Sequence, residues 1–124
     1  PPEAKHLKQE HWAVKQVREY IEAHYADNLS LLQLAELVNL NPFHLTEVFR
    51  KGIGLPPHTY LNQVRVLRAK QLILAGESIA QVAYDTGFVD QSHLTRRFKQ
   101  IVGCTPGQVL KHQCRPQECT RPGV

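Results

Sequence analysis

The sequence predicts an all-α fold of about seven helices: two tandem helix-turn-helix subdomains joined by a long linker helix. Three observations predict it. A motif occurs twice, His44-Leu45-Thr46-Glu47-Val48-Phe49-Arg50 returning as His93-Leu94-Thr95-Arg96-Arg97-Phe98-Lys99. Apolar residues recur at helical spacing along the chain, and no segment alternates convincingly as a strand. Each candidate helix also carries its own start or stop signal.

The repeat extends beyond the motif. Upstream, Ser30-Leu31-Leu32-Gln33-Leu34-Ala35 aligns with Ser78-Ile79-Ala80-Gln81-Val82-Ala83; downstream, Gly54-Leu55-Pro56-Pro57 aligns with Gly103-Cys104-Thr105-Pro106. The offset is 48 residues before the turn and 49 after it, so the second copy carries one extra residue. Similarity at a fixed spacing marks a doubled structural unit, and a doubled unit on a small chain implies a device that touches two equivalent things.

The elements follow in order. Trp12, Val17, Tyr20, Ile21 and Tyr25 mark a leading helix over about 10–26, with residues 1–8 expected to fray. In the first copy, Leu34, Val38, Leu45, Val48 and Phe49 recur at helical spacing, with a break at Asn39-Leu40-Asn41-Pro42. Ser30 caps one helix; Asn41 caps the next, and Pro42 fits its first position. The spacing therefore predicts helices over 30–38 and 42–52 joined by a tight turn, a helix-turn-helix pattern. Ala35 is small where the second helix must come close, and Asn39 tolerates a left-handed turn.

Thr59 to Ala75 is one amphipathic stretch, opened by Pro56-Pro57 and closed by Gly76. Tyr60, Leu61, Val64, Leu67, Leu72 and Ile73 form its apolar side, Ala69 allows close contact, and Arg65, Arg68 and Lys70 are basic. Such a helix is about 25 Å long. It can be a core connector or a rigid spacer; a spacer near about 34 Å would set two reading helices into successive major grooves. In the second copy Ser78 caps, Ala83 is the small residue and Gly87 supplies the turn. Asp90 caps a helix over about 91–102, with Leu94, Phe98 and Ile101 inward. Expected boundaries are 1–55 for the leading helix and first subdomain, 56–76 for the linker, 77–112 for the second subdomain and 113–124 for a disordered tail.

Charge is divided unevenly. Residues 1–49 carry four Lys/Arg against seven Asp/Glu, for −3, and residues 50–124 carry eleven against four, for +7. A basic half suits a polyanion and implies salt-sensitive binding. No run of about 18 apolar residues exists to span a membrane, and no signal peptide is visible. Three cysteines, an odd number, fit reduced thiols and a cytoplasmic location. His112, Cys114 and Cys119 lie close together, but their spacing fits no zinc pattern, so neither a metal nor a cofactor is expected. The chain begins at Pro1 and lacks methionine; an initiator Met removed before Pro1 is one reading, and a C-terminal piece of a longer protein is the expectation.

These residues resemble the DNA-binding domain of the AraC/XylS family of bacterial transcription regulators, over roughly residues 10–111. The most specific stretch is Ile79-Ala80, Ala83 and Gly87-Phe88, followed by Leu94, Arg96 and Phe98-Lys99, then Gly103 and Thr105-Pro106. Tyr60-Leu61, Arg65-Val66, Ala69 and Leu72 are similar to the family's linker helix. The resemblance implies a homeodomain-like fold and contact with RNA polymerase near promoters. It also implies an N-terminal sensing or dimerising domain through which any small-molecule effector would act. Four positions depart from the family pattern: Val109 and Leu110 replace an aromatic and Arg, Glu47 stands where Arg is common, and Asn39 replaces Gly.

The leading function is therefore sequence-specific binding of double-stranded DNA for transcription regulation, with activation as the expected mode. Phe43, Thr46 and Glu47 in the first reading helix, and Gln91, Ser92, His93, Thr95 and Arg96 in the second, are the candidate base readers. Arg96 has the fork that matches guanine O6 and N7. Phe43 can touch a thymine methyl or pack inward, and His93 can contact a base or pack. Arg50, Lys51, Arg65, Arg97 and Lys99 are the candidate phosphate contacts. An enzyme is not expected: there is no Gly-rich phosphate loop, nucleophile elbow or His-Glu-x-x-His pair. Asp90 near His93 is explained by capping. The alternative is a helical adaptor whose exposed arginines bind an acidic protein.

Overall fold

Seven helices and no strand are found in the computed structural model, which describes residues 2–111, with side chains from residue 7. They are α1 (Pro2–His24), α2 (Leu31–Leu37), α3 (Pro42–Ile53), α4 (Pro57–Leu74), α5 (Ile79–Asp85), α6 (Gln91–Val102) and α7 (Pro106–Leu110). The chain divides into two compact units that meet along the sequence inside α4, at Val64 and Arg65. The expected tail over 113–124, and the grouping of His112, Cys114 and Cys119, lie outside the described residues.

The first unit is built from α1, α2, α3 and the start of α4. Ser30 and Gln33 close a reciprocal capping box on α2: the Ser30 Oγ accepts from the Gln33 amide at 3.1 Å, and the Gln33 side chain accepts from the Ser30 amide at 2.9 Å. Asn41 Oδ1 accepts from the Phe43 amide at 2.8 Å and starts α3. Between them Asn39 takes φ 56°, as the turn requires, and the Leu40 amide then donates to the Ala35 carbonyl at 3.0 Å. The core holds Ala13, Val17, Ile21, Leu34, Ala35, Val38, Leu45, Phe49 and Leu61. Gly52 of α3 has no side chain where α1 passes, and a Cβ there would stand 3.2 Å from Val14 Cγ1.

The second unit repeats this chemistry. Ser78 caps α5 through the Gln81 amide at 3.2 Å, and Asp90 caps α6 through the His93 amide at 2.8 Å. The Phe88 amide donates to the Ala83 carbonyl at 2.9 Å, which is the Leu40 bond moved by 48 residues. Gly87 supplies the positive φ, 94°, that Asn39 supplies in the first copy. The extra residue of the second copy is Val89, which is fully extruded at 86% exposure. Val66, Ala69, Ile73, Val82, Ala83, Phe88, Leu94, Phe98, Cys104 and Val109 form the core. Burying Leu94 or Phe98 contributes about 1.5–3 kcal/mol each. Buried Thr86 is satisfied by donating to the Val82 carbonyl at 2.7 Å. Thr105 and Gln108 form a second capping box, on α7.

Three expectations need correction. α1 starts at Pro2, so residues 2–8 continue the helix where fraying was expected. Its buried stripe is Ala13, Val17 and Ile21, which leaves Trp12 half exposed. Leu67 and Ile101 were expected inward but are exposed, at 49% and 37%. In each case a large apolar residue lies beside the stripe that the neighbouring helices cover, and helical spacing alone leaves that phase open. Arg65 and Asn62, both polar, are buried instead.

Candidate nucleic-acid interface

On both α3 and α6 the buried apolar residues share one side, which leaves a mostly polar opposite face. On α6, Leu94 and Phe98 are fully buried, so Gln91, Ser92, Arg96 and Lys99 are left exposed and Thr95 half-buried. Gln91 and Thr95, and Ser92, Arg96 and Lys99, are neighbours at helical spacings of three and four. The face is cationic through Arg96 and Lys99. Arg97 lies to one side, half-buried. Its Nη1 donates to Gln100 Oε1 at 3.0 Å while its Nε is buried without a partner.

On α3 the same rule exposes Phe43, Glu47, Arg50 and Lys51. Phe43 is 84% exposed, so the inward-packed alternative is excluded. Thr46 is half-buried, and its hydroxyl donates to the Pro42 carbonyl at 2.9 Å, which leaves its oxygen lone pairs and methyl for outside contact. Glu47 places a negative charge mid-face. Arg50 and Lys51 sit in the last turn, where cations also suit the helix dipole.

The repeated histidine is treated differently in the two units. His44 Nε2 lies 3.4 Å from Glu10 Oε2 of α1. His93 instead stands edge-on to Phe88, with ring centroids 5.2 Å apart and planes at 90°. Its Nδ1 is buried without a hydrogen-bond partner. Burial first, then the charges of Arg97 and Arg96, with Arg65 weaker, hold its pKa below the usual histidine value; Asp90 opposes them. That direction favours the neutral imidazole at pH 7.

Arg65 was expected on a phosphate but is 7% exposed. Its guanidinium carbon lies 5.9 Å from the Phe88 ring centroid. Burial lowers its pKa from the ordinary arginine value, yet leaves it charged. This placement leaves little of Arg65 at the surface, with its guanidinium beside the Phe88 ring. Sequence reading also passed over the exposed Tyr84 and Val89 flanking the second turn, at 78% and 86%. The one-residue offset change was the signal for Val89. Among the described residues, no group of three or more His, Cys, Asp and Glu is placed to hold a metal ion, and no helix is long and apolar enough to cross a membrane.

Comparison with known proteins agrees with the helix-turn-helix architecture. Residues 34–112 match the model of a helix-turn-helix domain family. The uncharacterized HTH-type transcriptional regulator YbfI of Bacillus subtilis (strain 168) is 43% identical over 81 residues, which is 65% of this chain and 30% of that protein. The chain thus spans under a third of that relative's length. Among solved structures, the C-terminal domain of AraT, a response regulator from Geobacillus stearothermophilus, superposes with a TM-score of 0.77 at 26% identity, covering 89% of this chain and 92% of that one. A probable AraC family transcriptional regulator from Rhodopseudomonas palustris CGA009 shares the fold, with a TM-score of 0.73 at 24% identity over 83% of this chain and 98% of that one.

Proposed function

Because this chain belongs to the helix-turn-helix domain family of AraC type, we propose that it binds double-stranded DNA sequence-specifically and regulates bacterial transcription. One observation carries the reading: two units capped at matching positions and closed by the same turn hydrogen bond each leave one mostly polar helix face uncovered. A helix is the element that fits a major groove, and reading requires donors and acceptors on its outer face. The base readers are Phe43, Thr46 and Glu47 on α3, and Gln91, Ser92, His93, Thr95 and Arg96 on α6. Arg50, Lys51, Lys99 and Arg97 hold phosphates.

The finer proposal is that one chain reads two successive major grooves of an asymmetric site, with α4 as the spacer. Contact with RNA polymerase, control by an effector through a separate sensing domain, transcriptional activation and a cytoplasmic location belong to the same proposal; catalysis does not. Gel-shift with genomic fragments in about 0.1 M salt tests it. Retarded complexes that resist nonspecific competitor DNA are expected. Capture of an acidic protein without any DNA retardation would instead favour an adaptor.

A further inference from the structure

His93 occupies the third position of α6, on the edge of the proposed reading face. Its Nδ1 is buried with no hydrogen-bond partner, while the residue as a whole is half-exposed. The ring is fixed by its edge-on contact with Phe88, which in turn lies under the Arg65 guanidinium.

A buried N–H without an acceptor is rarer and more costly than a buried lone pair without a donor. Electrostatics point the same way. The charged groups around His93 are Arg96, Arg97 and Asp90 of α6 and Arg65 of α4. Three of the four are positive, and the amides at the start of α6 add a positive helix end. That field favours a bare lone pair on Nδ1 and opposes a second proton.

Resting on the DNA-binding reading, we infer that His93 acts as a neutral donor: its Nε2–H points outward to a base-edge acceptor in the major groove, and its bare Nδ1 is kept inside beside Phe88. The acceptors available there are purine N7, guanine O6 and thymine O4. A neutral donor discriminates by geometry, without the indiscriminate pull of an imidazolium on phosphates. The repeat has made two different residues of one: in the first unit the same histidine is turned toward a carboxylate, Glu10.

The test has two arms. Long-range proton–nitrogen NMR on the uniformly 15N-labelled chain, without DNA, reads the tautomer directly. The Nε2–H form is expected at pH 7, persisting at about pH 6.5, where a free histidine is half charged. An Nδ1–H tautomer or an imidazolium would overturn the inference whether or not the chain binds DNA. In the second arm, sites are selected from a duplex library randomised over about 20 bp, two helical turns. His93→Gln places an amide donor near the Nε2 position, and His93→Asn places one near Nδ1. Gln is expected to keep the wild-type base preference. Asn is expected to lose about tenfold in affinity for the selected site, the size of one lost base contact, and to relax a single base position. Equal behaviour of the two variants, or uniform weakening on all sequences as for a phosphate contact, would sink the donor role. Failure of the wild-type chain to select any site would overturn the proposed function, and the donor role with it.

Discussion

Tyr60 donates its hydroxyl to the Glu22 carboxylate across 2.8 Å. The same ring packs edge-on against Phe49, with centroids 5.7 Å apart, so one side chain of α4 joins α1 to α3 within the first unit. Burial first, then the bond to Glu22 and its charge, push the phenol up to about 12, against a smaller opposing pull from Arg18. The folded chain holds this proton more tightly than the unfolded chain, where the value is about 10. The contribution is thus complete below about pH 10 and disappears as pH rises from about 10 to about 12. Tyr60→Phe is expected to cost about 1 kcal/mol at pH 7 and to flatten the loss of stability above pH 10. Urea unfolding at both pH values measures this, and an unchanged midpoint at pH 7 would show the bond to be idle.

Leu67 separates two roles of α4. It is half exposed, so Leu67→Ala should change stability by no more than about 0.5 kcal/mol. Leu67→Pro removes a mid-helix hydrogen bond and should cost about 3 kcal/mol or more. Under the spacer proposal it also abolishes joint engagement of both readers, so affinity for a full site should fall to that of a half-site. Circular dichroism and titration of full and half-sites give both numbers; full affinity in a Pro variant with a broken helix would show that α4 is no ruler.

The two readers are expected to contribute unequally. Arg96 is exposed on a cationic face, whereas Glu47 is an exposed negative charge that the phosphates of bound DNA would repel. Arg96→Ala should lower affinity by about 1–3 kcal/mol and relax one base position. Glu47→Ala should leave affinity nearly unchanged or raise nonspecific binding. Titration of both variants on one operator decides the order, and a larger loss for Glu47→Ala would reverse the assignment of α6 as the main reader.

Lys51 is exposed in the last turn of α3, as is Arg50. As a phosphate contact it releases about one counterion on binding. Lys51→Ala is then expected to weaken all sequences alike and to lower the log–log salt slope by about 1. A loss confined to the specific site would make Lys51 a base reader.

The sequence alone determined the two units, their caps and their turns. Ser30, Asn41, Ser78 and Asp90 cap the helices that the residues announced, and Asn39 and Gly87 take the left-handed turns. These features act within a few residues, so a short window of sequence contains the whole interaction. The polar faces of α3 and α6 followed from the same windows, because Leu45, Phe49, Leu94 and Phe98 fix which side is buried. Tertiary structure decided what depends on a neighbour from elsewhere in the chain. It chose the phase of α1 that leaves Trp12 outside, and it exposed Leu67 and Ile101 beside the covered stripes. It drew Arg65 over Phe88 and turned His44 toward Glu10. It also buried one nitrogen of His93. An amphipathic pattern tells which residues prefer burial, but the area a partner helix covers is smaller than the apolar side, and only packing selects the residues beneath it.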